Sequence, residues 1–288
     1  MTMPIILRDG RIIFGGCVVA VIGLLTLAAP LVSPYDPLQV FSGLRNAPLG
    51  TAGHLLGTDQ AGRDILSRVL WGGRVSLVIG TVPVAVSLAI GTCLGLIAAY
   101  YGRWVEFLIL RLMEILFAFP LILLAILAAA VLGKGMLNAM TAMTIVVIPY
   151  VIRAVHAAAK STMGMTYVEA AIIRGAGPWR IMLSEILPNI VSSLVVFATS
   201  VMPIFIIFSA GLSYLGLAIE PPTPDWGIMI AEGQQVIQTA PHVPTVPGIV
   251  LLLVAISMNL IGDGVQDALN PSSRRRPVGA DPQLSRPI

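Results

Sequence analysis

The chain has 288 residues, 57% of them hydrophobic and only 11% charged, against about 25% charged in a typical soluble domain. That deficit excludes a water-solvated surface over most of its length. The formal net charge of +3 is spread as basic residues near the ends of apolar stretches, as membrane topology demands, so no nucleic-acid partner is expected.

A membrane crossing takes roughly 20 predominantly apolar residues. Six such windows follow one another, at about 12–32, 75–100, 107–132, 136–155, 190–217 and 246–261. Each is predicted as a helix, because a helix satisfies its own backbone polar groups in lipid. The expected fold class is therefore all-α, a polytopic membrane protein of six transmembrane helices. Cys17 and Cys93 fall inside apolar windows, so no structural disulfide is expected. The first window has a rival reading as a signal peptide with Arg8 and Arg11 as its basic flank. Its apolar run exceeds the about 7–15 residues of such a core, and no A-x-A site precedes Pro34, which favours a retained span.

Lys and Arg set the orientation. With the N-terminus inside, the inner segments hold Arg8, Arg11, Arg103, Arg153, Lys160, Arg174, Arg180, Arg274, Arg275, Arg276 and Arg286. The outer segments hold Arg45, Arg63, Arg68, Arg74 and Lys134, and the first outer loop also carries Asp36, Asp59 and Asp64. That loop, 34–74, has turn signals at Ser33-Pro34, Asp36-Pro37 and Gly57-Thr58-Asp59, and Gly62 to Leu70 reads as an amphipathic helix leading into the second span. The other outer loop, 218–244, contains Glu220-Pro221-Pro222-Thr223-Pro224-Asp225-Trp226, which cannot be continuous helix. The tail after Asn270 reads as a short solvated cytoplasmic end.

A motor is missing from the sequence. There is no P-loop; Gly133-Lys134-Gly135 lacks the upstream glycine and the hydroxyl and reads as a tight outer turn. His54, His156 and His242 are far apart, which argues against a shared metal, and each is expected at a surface or interface. The main charges within a window are Arg111 and Glu114, spaced to neutralise one another on one helix face. They read as a structural ion pair near the inner interface.

The inner connection from Tyr167 to Pro188 reads as a helix, a stop and a second helix. Gly175 and Gly177 permit a reversal, Pro178 suits a first helical turn, and Pro188 marks the start of the fifth span. On pattern alone, a plain cytoplasmic hairpin and a knob that transmits a push from a docked protein are equally supported.

Glu169-Ala170-Ala171, then three residues, then Gly175, with Leu187-Pro188 following, resembles the coupling motif of ABC importer permeases; Glu185 stands where that motif usually has an apolar residue. His54 to Asp59, Gly62 to Arg68, Leu212 to Leu217, Pro221 to Trp226-Gly227, Gly262-Asp263-Gly264 with Asp267-Ala268-Leu269 and Pro271, and Arg111 to Glu114 with Phe117 to Pro120 resemble the oligopeptide/dipeptide/nickel permease family. The likeness covers nearly the whole chain and points to the shorter, second permease of such systems.

The resemblance implies a type I ABC importer permease with a cytoplasmic coupling helix, in a bacterial inner membrane with both termini cytoplasmic. It divides the chain into 1–74 with the first span and external loop, a permease core at 75–267, and a tail at 268–288. It implies a second homologous permease chain, two ATPase subunits and an external solute-binding protein as partners. ATP and magnesium would sit on the ATPases, with no cofactor and no catalytic residue in this chain. Glu169, Ala170, Ala171 and Gly175 would shape the coupling helix, Ile172, Ile173 and Arg174 would lie in or near the contact, and Ala176, Gly177 and Pro178 would complete the segment. Loops 34–74 and 218–244 would meet the binding protein, with Asp59, Arg63 and Asp64 holding the first loop's own fold. Dipeptides, oligopeptides, glutathione-like peptides and nickel complexes are all handled within this family. The rival readings are an ion-coupled secondary transporter, which leaves the hairpin unexplained, a membrane scaffold, and a membrane enzyme.

Overall fold

A computed structural model describes residues 9–269. Arg8, Asn270, Pro271, Arg274, Arg275, Arg276 and Arg286 lie outside the described residues. The chain folds into helices α1 (Gly10–Leu27), α2 (Ala29–Val32), α3 (Ile65–Tyr101), α4 (Arg103–Phe117), α5 (Leu121–Leu132), α6 (Met136–Met163), α7 (Thr166–Ile173), α8 (Pro178–Arg180), a π-helical turn (Ile181–Ile186), α9 (Leu187–Tyr214), α10 (Trp226–Gln234) and α11 (His242–Leu269). Five segments are long and apolar enough to cross a membrane, counting 178–214 as one, and the bent pair α4–α5 supplies a sixth when taken together.

The third window departs from the expected single helix. α4 and α5 meet at 93°, with Pro120 extended (ψ 133°) at the break. Proline has no N–H to donate into the preceding turn and disfavours helical geometry in the residue before it, so a run apolar throughout still changes direction there. Pro83, Pro149, Pro203 and Pro247 lie buried inside α3, α6, α9 and α11 without dividing them, where neighbouring helices can satisfy the freed backbone groups.

Most helices run past the apolar windows. α3 begins at Ile65, so the expected separate amphipathic helix is its first two turns. Its start is set by Asp64, whose carboxylate accepts the Ser67 N–H at 2.8 Å. α6 continues eight residues beyond Val155 to a cap at Gly164, which brings His156 and Lys160 into the helix.

The core lies where α3, α6 and α9 pack together, around Ile79, Val84, Met143, Val147, Val151 and Phe205. In lipid, close packing and not exclusion of water drives helix association. Gly91 and Gly95 make this possible: a Cβ on Gly91 would lie 2.6 Å from Val151 Cγ1, and one on Gly95 would lie 2.7 Å from Val155 Cβ. α1 packs on α11, where Gly15 meets the Ser257 carbonyl and Gly264 meets Ile12. Arg11 bridges Asp9 at 2.8 Å and Asp267 at 2.7 Å. The hydrogen bond from Arg11 holds the Asp9 carboxyl below the ordinary carboxylate range.

The molecule thus has two ends. One carries the connections 33–64 and 215–241, the loop end. The other carries residues 164–186 with Asp9 and Leu269, the hairpin end.

Candidate functional site

At the hairpin end, α7 is stopped by a backbone device. The Gly175 N–H donates to the Ile172 carbonyl at 2.9 Å, and the Ala176 N–H donates to the Ala171 carbonyl at 3.1 Å. This is a Schellman closure, and it needs Gly175 at φ +77°, where a side chain is strained. Pro178 then opens α8 from an extended Gly177. The expected second helix is a single turn that runs through the π-helical turn into α9. Leu187 begins α9 and Pro188 sits in its first turn, as expected.

The hairpin is anchored on one side and open on the other. Val168 and Ala171 are buried in one cluster with Ile181, Met182 and Ile186. Of the ten residues expected in the coupling segment, Ala171 is buried and Ala176 half-buried. Glu169, Ala170, Ile172, Ile173, Arg174, Gly175, Gly177 and Pro178 are all exposed. Ile173 is 85% exposed, and Ile172, Trp179 and Leu183 are exposed with it. Trp179 and Leu183 are not part of the sequence expectation; the signal was local, since both follow Pro178 by one and five residues. Glu169, Arg174 and Arg180 surround these apolar side chains, a mixture suited to a protein surface more than to the hydrocarbon interior.

The loop end has the opposite character. Asp59 accepts from the backbone N–H of Ala61 at 2.8 Å and Arg63 at 2.9 Å, and from Arg63 Nε at 2.7 Å. Its Oδ2 also accepts from Arg68 Nη1. Glu232 of α10 accepts from Arg63 Nη2 and Arg68 Nη1, both at 2.8 Å. Two cations and two anions, with Arg68 1% exposed, therefore neutralise one another and fasten the first loop to the second. Asp64 receives His54 Nδ1 at 2.9 Å and the Ser67 hydroxyl at 2.7 Å. His54 is consequently buried, against the expectation of a surface position, and packs between Tyr35 and Phe41. Asp59, Arg63 and Asp64 do hold this loop's fold. Glu232 escaped the sequence reading because its partners lie more than 160 positions away.

A second tie lies beneath. Asp225 caps α10 by accepting from the Gly227 and Ile228 N–H groups, while its Oδ2 accepts from the Ser76 hydroxyl at 2.6 Å. Ser76 Oγ in turn accepts the Trp226 N–H at 3.0 Å. Burial pushes the Asp225 carboxyl up, and these hydrogen bonds oppose it. His156 meets Glu106 at 2.9 Å, and His242 lies beside Gly57, in the turn closed by the His54 carbonyl. Among the described residues, no group of three or more His, Cys, Asp or Glu side chains is placed to hold a metal.

A bundle with five to six helical segments long and apolar enough to cross a membrane, and with a mixed apolar and charged knob at one end, is a polytopic membrane protein. Residues 91–275 match the family described as binding-protein-dependent transport system inner membrane component. The chain is 41% identical, over 92% of its length and 88% of the relative's, to the glutathione transport system permease protein GsiD of Pectobacterium atrosepticum. It is 42% identical, over 85% of its length and 82% of the relative's, to the di/tripeptide transport system permease protein DppC of Pseudomonas aeruginosa. The dipeptide transport system permease protein DppC of Haemophilus influenzae is 38% identical over 89% of each chain. The protein belongs to this family of inner-membrane components and is a multi-pass permease subunit of an ABC importer, not an ion-coupled carrier and not itself an enzyme.

Proposed function

We propose that this permease imports short peptides, and that the hairpin 166–180 is where ATP-driven motion enters it. In this reading, Glu169, Ala170 and Ala171 with Gly175 shape a coupling helix. Ile172, Ile173 and Arg174 meet a separate ATPase subunit, and Ala176, Gly177 and Pro178 fix the turn. The observation that carries the reading is the exposed crest of Ile172, Ile173, Trp179 and Leu183 on a hairpin whose other face is locked into the core. Large apolar side chains clustered outside a core mark an interaction surface. The run from Pro178 through Tyr214 is helical without a gap, so displacement of the knob is delivered directly to a membrane span.

The remaining parts follow the same reading. Two ATPase subunits bind ATP and magnesium, and this chain carries no cofactor. A second homologous permease supplies the other half of the pathway, and an external solute-binding protein docks on the loop end. The hairpin end and both termini face the cytoplasm. Residues 1–74 form an N-terminal region, 75–267 the permease core and 268–288 a cytoplasmic tail. The solute reading is supported by the relatives named above, whose solutes are glutathione, dipeptides and tripeptides.

The test is co-purification from gently solubilised membranes. The wild-type chain is expected to bring down a second permease and P-loop ATPases. Ile173→Asp is expected to insert normally and keep the second permease but lose the ATPases by tenfold or more. Full ATPase recovery with Ile173→Asp would remove the coupling role from this crest.

A further inference from the structure

Arg153 is a charge in a place where charge is costly. α6 runs from Met136 to Met163, and Arg153 stands ten residues before its end, about 15 Å along the axis at 1.5 Å per residue. A 28-residue helix overhangs an apolar layer of about 30 Å by only about 6 Å at each end when centred. Arg153, exposed on this helix, falls toward the hairpin-end side of the apolar layer when the helix is centred on it. A charged side chain on a spanning helix faces protein or a water-filled space and not lipid.

Arg153 lines a cavity of about 270 Å³ between α4 and α6, with Leu110, Met113, Glu114 and Phe117 from α4 and His156 from α6. The guanidinium lies 5.6 Å from the centre of the Phe117 ring, a cation–π contact that holds its position and leaves its N–H groups undirected. The other charges around the space are already engaged. Glu114 Oε2 accepts from Arg111 Nη1 at 2.6 Å. His156 meets Glu106 at 2.9 Å, and Glu106 also accepts from Lys160 at 2.8 Å. Among the described residues, Arg153 makes no ion pair and no side-chain hydrogen bond.

We infer that this cavity is a solute site on the translocation route, in which Arg153 receives a carboxylate of the passing peptide. A carboxylate matches the planar fork of a guanidinium through two parallel hydrogen bonds. The remaining Glu114 oxygen offers an acceptor for the ammonium at the other end of a zwitterion. Leu110, Met113 and Phe117 supply apolar wall without sequence preference, which suits a route that must release what it holds. Arg153 is thus a binding residue, and the inference rests on the peptide reading above.

The experiment is uptake of a labelled dipeptide and tripeptide by cells carrying the complete transport system, with wild type, Arg153→Gln and Arg153→Lys compared. Co-purification of the second permease and ATPases, and binding-protein-stimulated ATP hydrolysis, are measured on the same variants. The expected result is a tenfold or greater loss of uptake in Arg153→Gln, with assembly and ATP hydrolysis kept and with Arg153→Lys recovering a substantial part. Wild-type uptake by Arg153→Gln, in a system that does import peptides, overturns the site and leaves the peptide reading standing. Loss of the second permease from the Arg153→Gln complex overturns it too, by making Arg153 an interface residue. Absence of peptide uptake by wild type removes the peptide reading itself, and the carboxylate role with it.

Discussion

The two ends of this permease handle charge and apolar surface in opposite ways. At the loop end, Asp59, Arg63, Arg68 and Glu232 are withdrawn from water and neutralise one another, so the surface there is set by a fold complete within the chain. At the hairpin end, Ile172, Ile173, Trp179 and Leu183 stand outside the core among exposed charges. The first end is tied together by buried ions, and the second sets its exposed apolar side chains beside exposed charges.

The comparison is broken most severely by Arg68→Ala. Removing one member of a buried ion network strands the others, at a cost of about 3–5 kcal/mol. Here Asp59 and Glu232 would each lose a donor. The expected outcome is a sharply lowered midpoint in thermal unfolding followed by size-exclusion chromatography in detergent, with little folded protein recovered. A midpoint near wild type would mean that the loop end does not depend on its ions.

Ser76→Ala attacks the same end more gently. It takes a donor from the buried Asp225 carboxylate and an acceptor from the Trp226 N–H, each worth about 1–3 kcal/mol when left unpaired. Because burial raises the Asp225 pKa when folded, its contribution is fully present below the unfolded pKa and is lost as pH rises through the folded one. Loss of the hydroxyl donor accentuates that trend. The stability deficit of Ser76→Ala is therefore expected to be larger at pH 7 than at pH 5, read from unfolding midpoints at the two values. A deficit that grows on acidification would contradict the assignment.

At the hairpin end, Gly175→Val sharpens the contrast. A β-branched residue at φ +77° is strained by about 1–2 kcal/mol, yet no side chain crowds the position. Faster amide hydrogen exchange is expected across 166–186, with the unfolding midpoint of the spans unchanged and ATPase recovery reduced. Exchange unchanged from wild type would show that the turn tolerates the strain.

What the sequence made legible follows the range over which each signal acts. The hairpin could be read because Gly175, Gly177 and Pro178 act on their own neighbours. The crossings could be read because an apolar window is also local, but their ends could not. The fourth window closes at Val155, whereas α6 continues through His156 and Lys160 until Gly164 stops it. The break at Pro120 has a local signal in the proline itself, but its right angle does not, because apolar composition carries no direction. The spacing of Gly91 and Gly95 was available as a small-residue packing signal and identifies the α3–α6 contact once the partner helix is known. The tie from Arg68 to Glu232 spans 164 positions and has no local trace.

The packing of α1 on α11 has a consequence for how the chain is made. Arg11 and Asp267 are separated by 256 positions, and Gly15 and Gly264 fit surfaces on each other's helices. During vectorial synthesis α1 reaches the bilayer first and finds a partner in α3, where Gly73 meets Thr26 and Ile22 packs with Leu77. Its second contact, with α11, forms only once the last span has left the ribosome, so the seam between the two ends of the chain closes late in assembly.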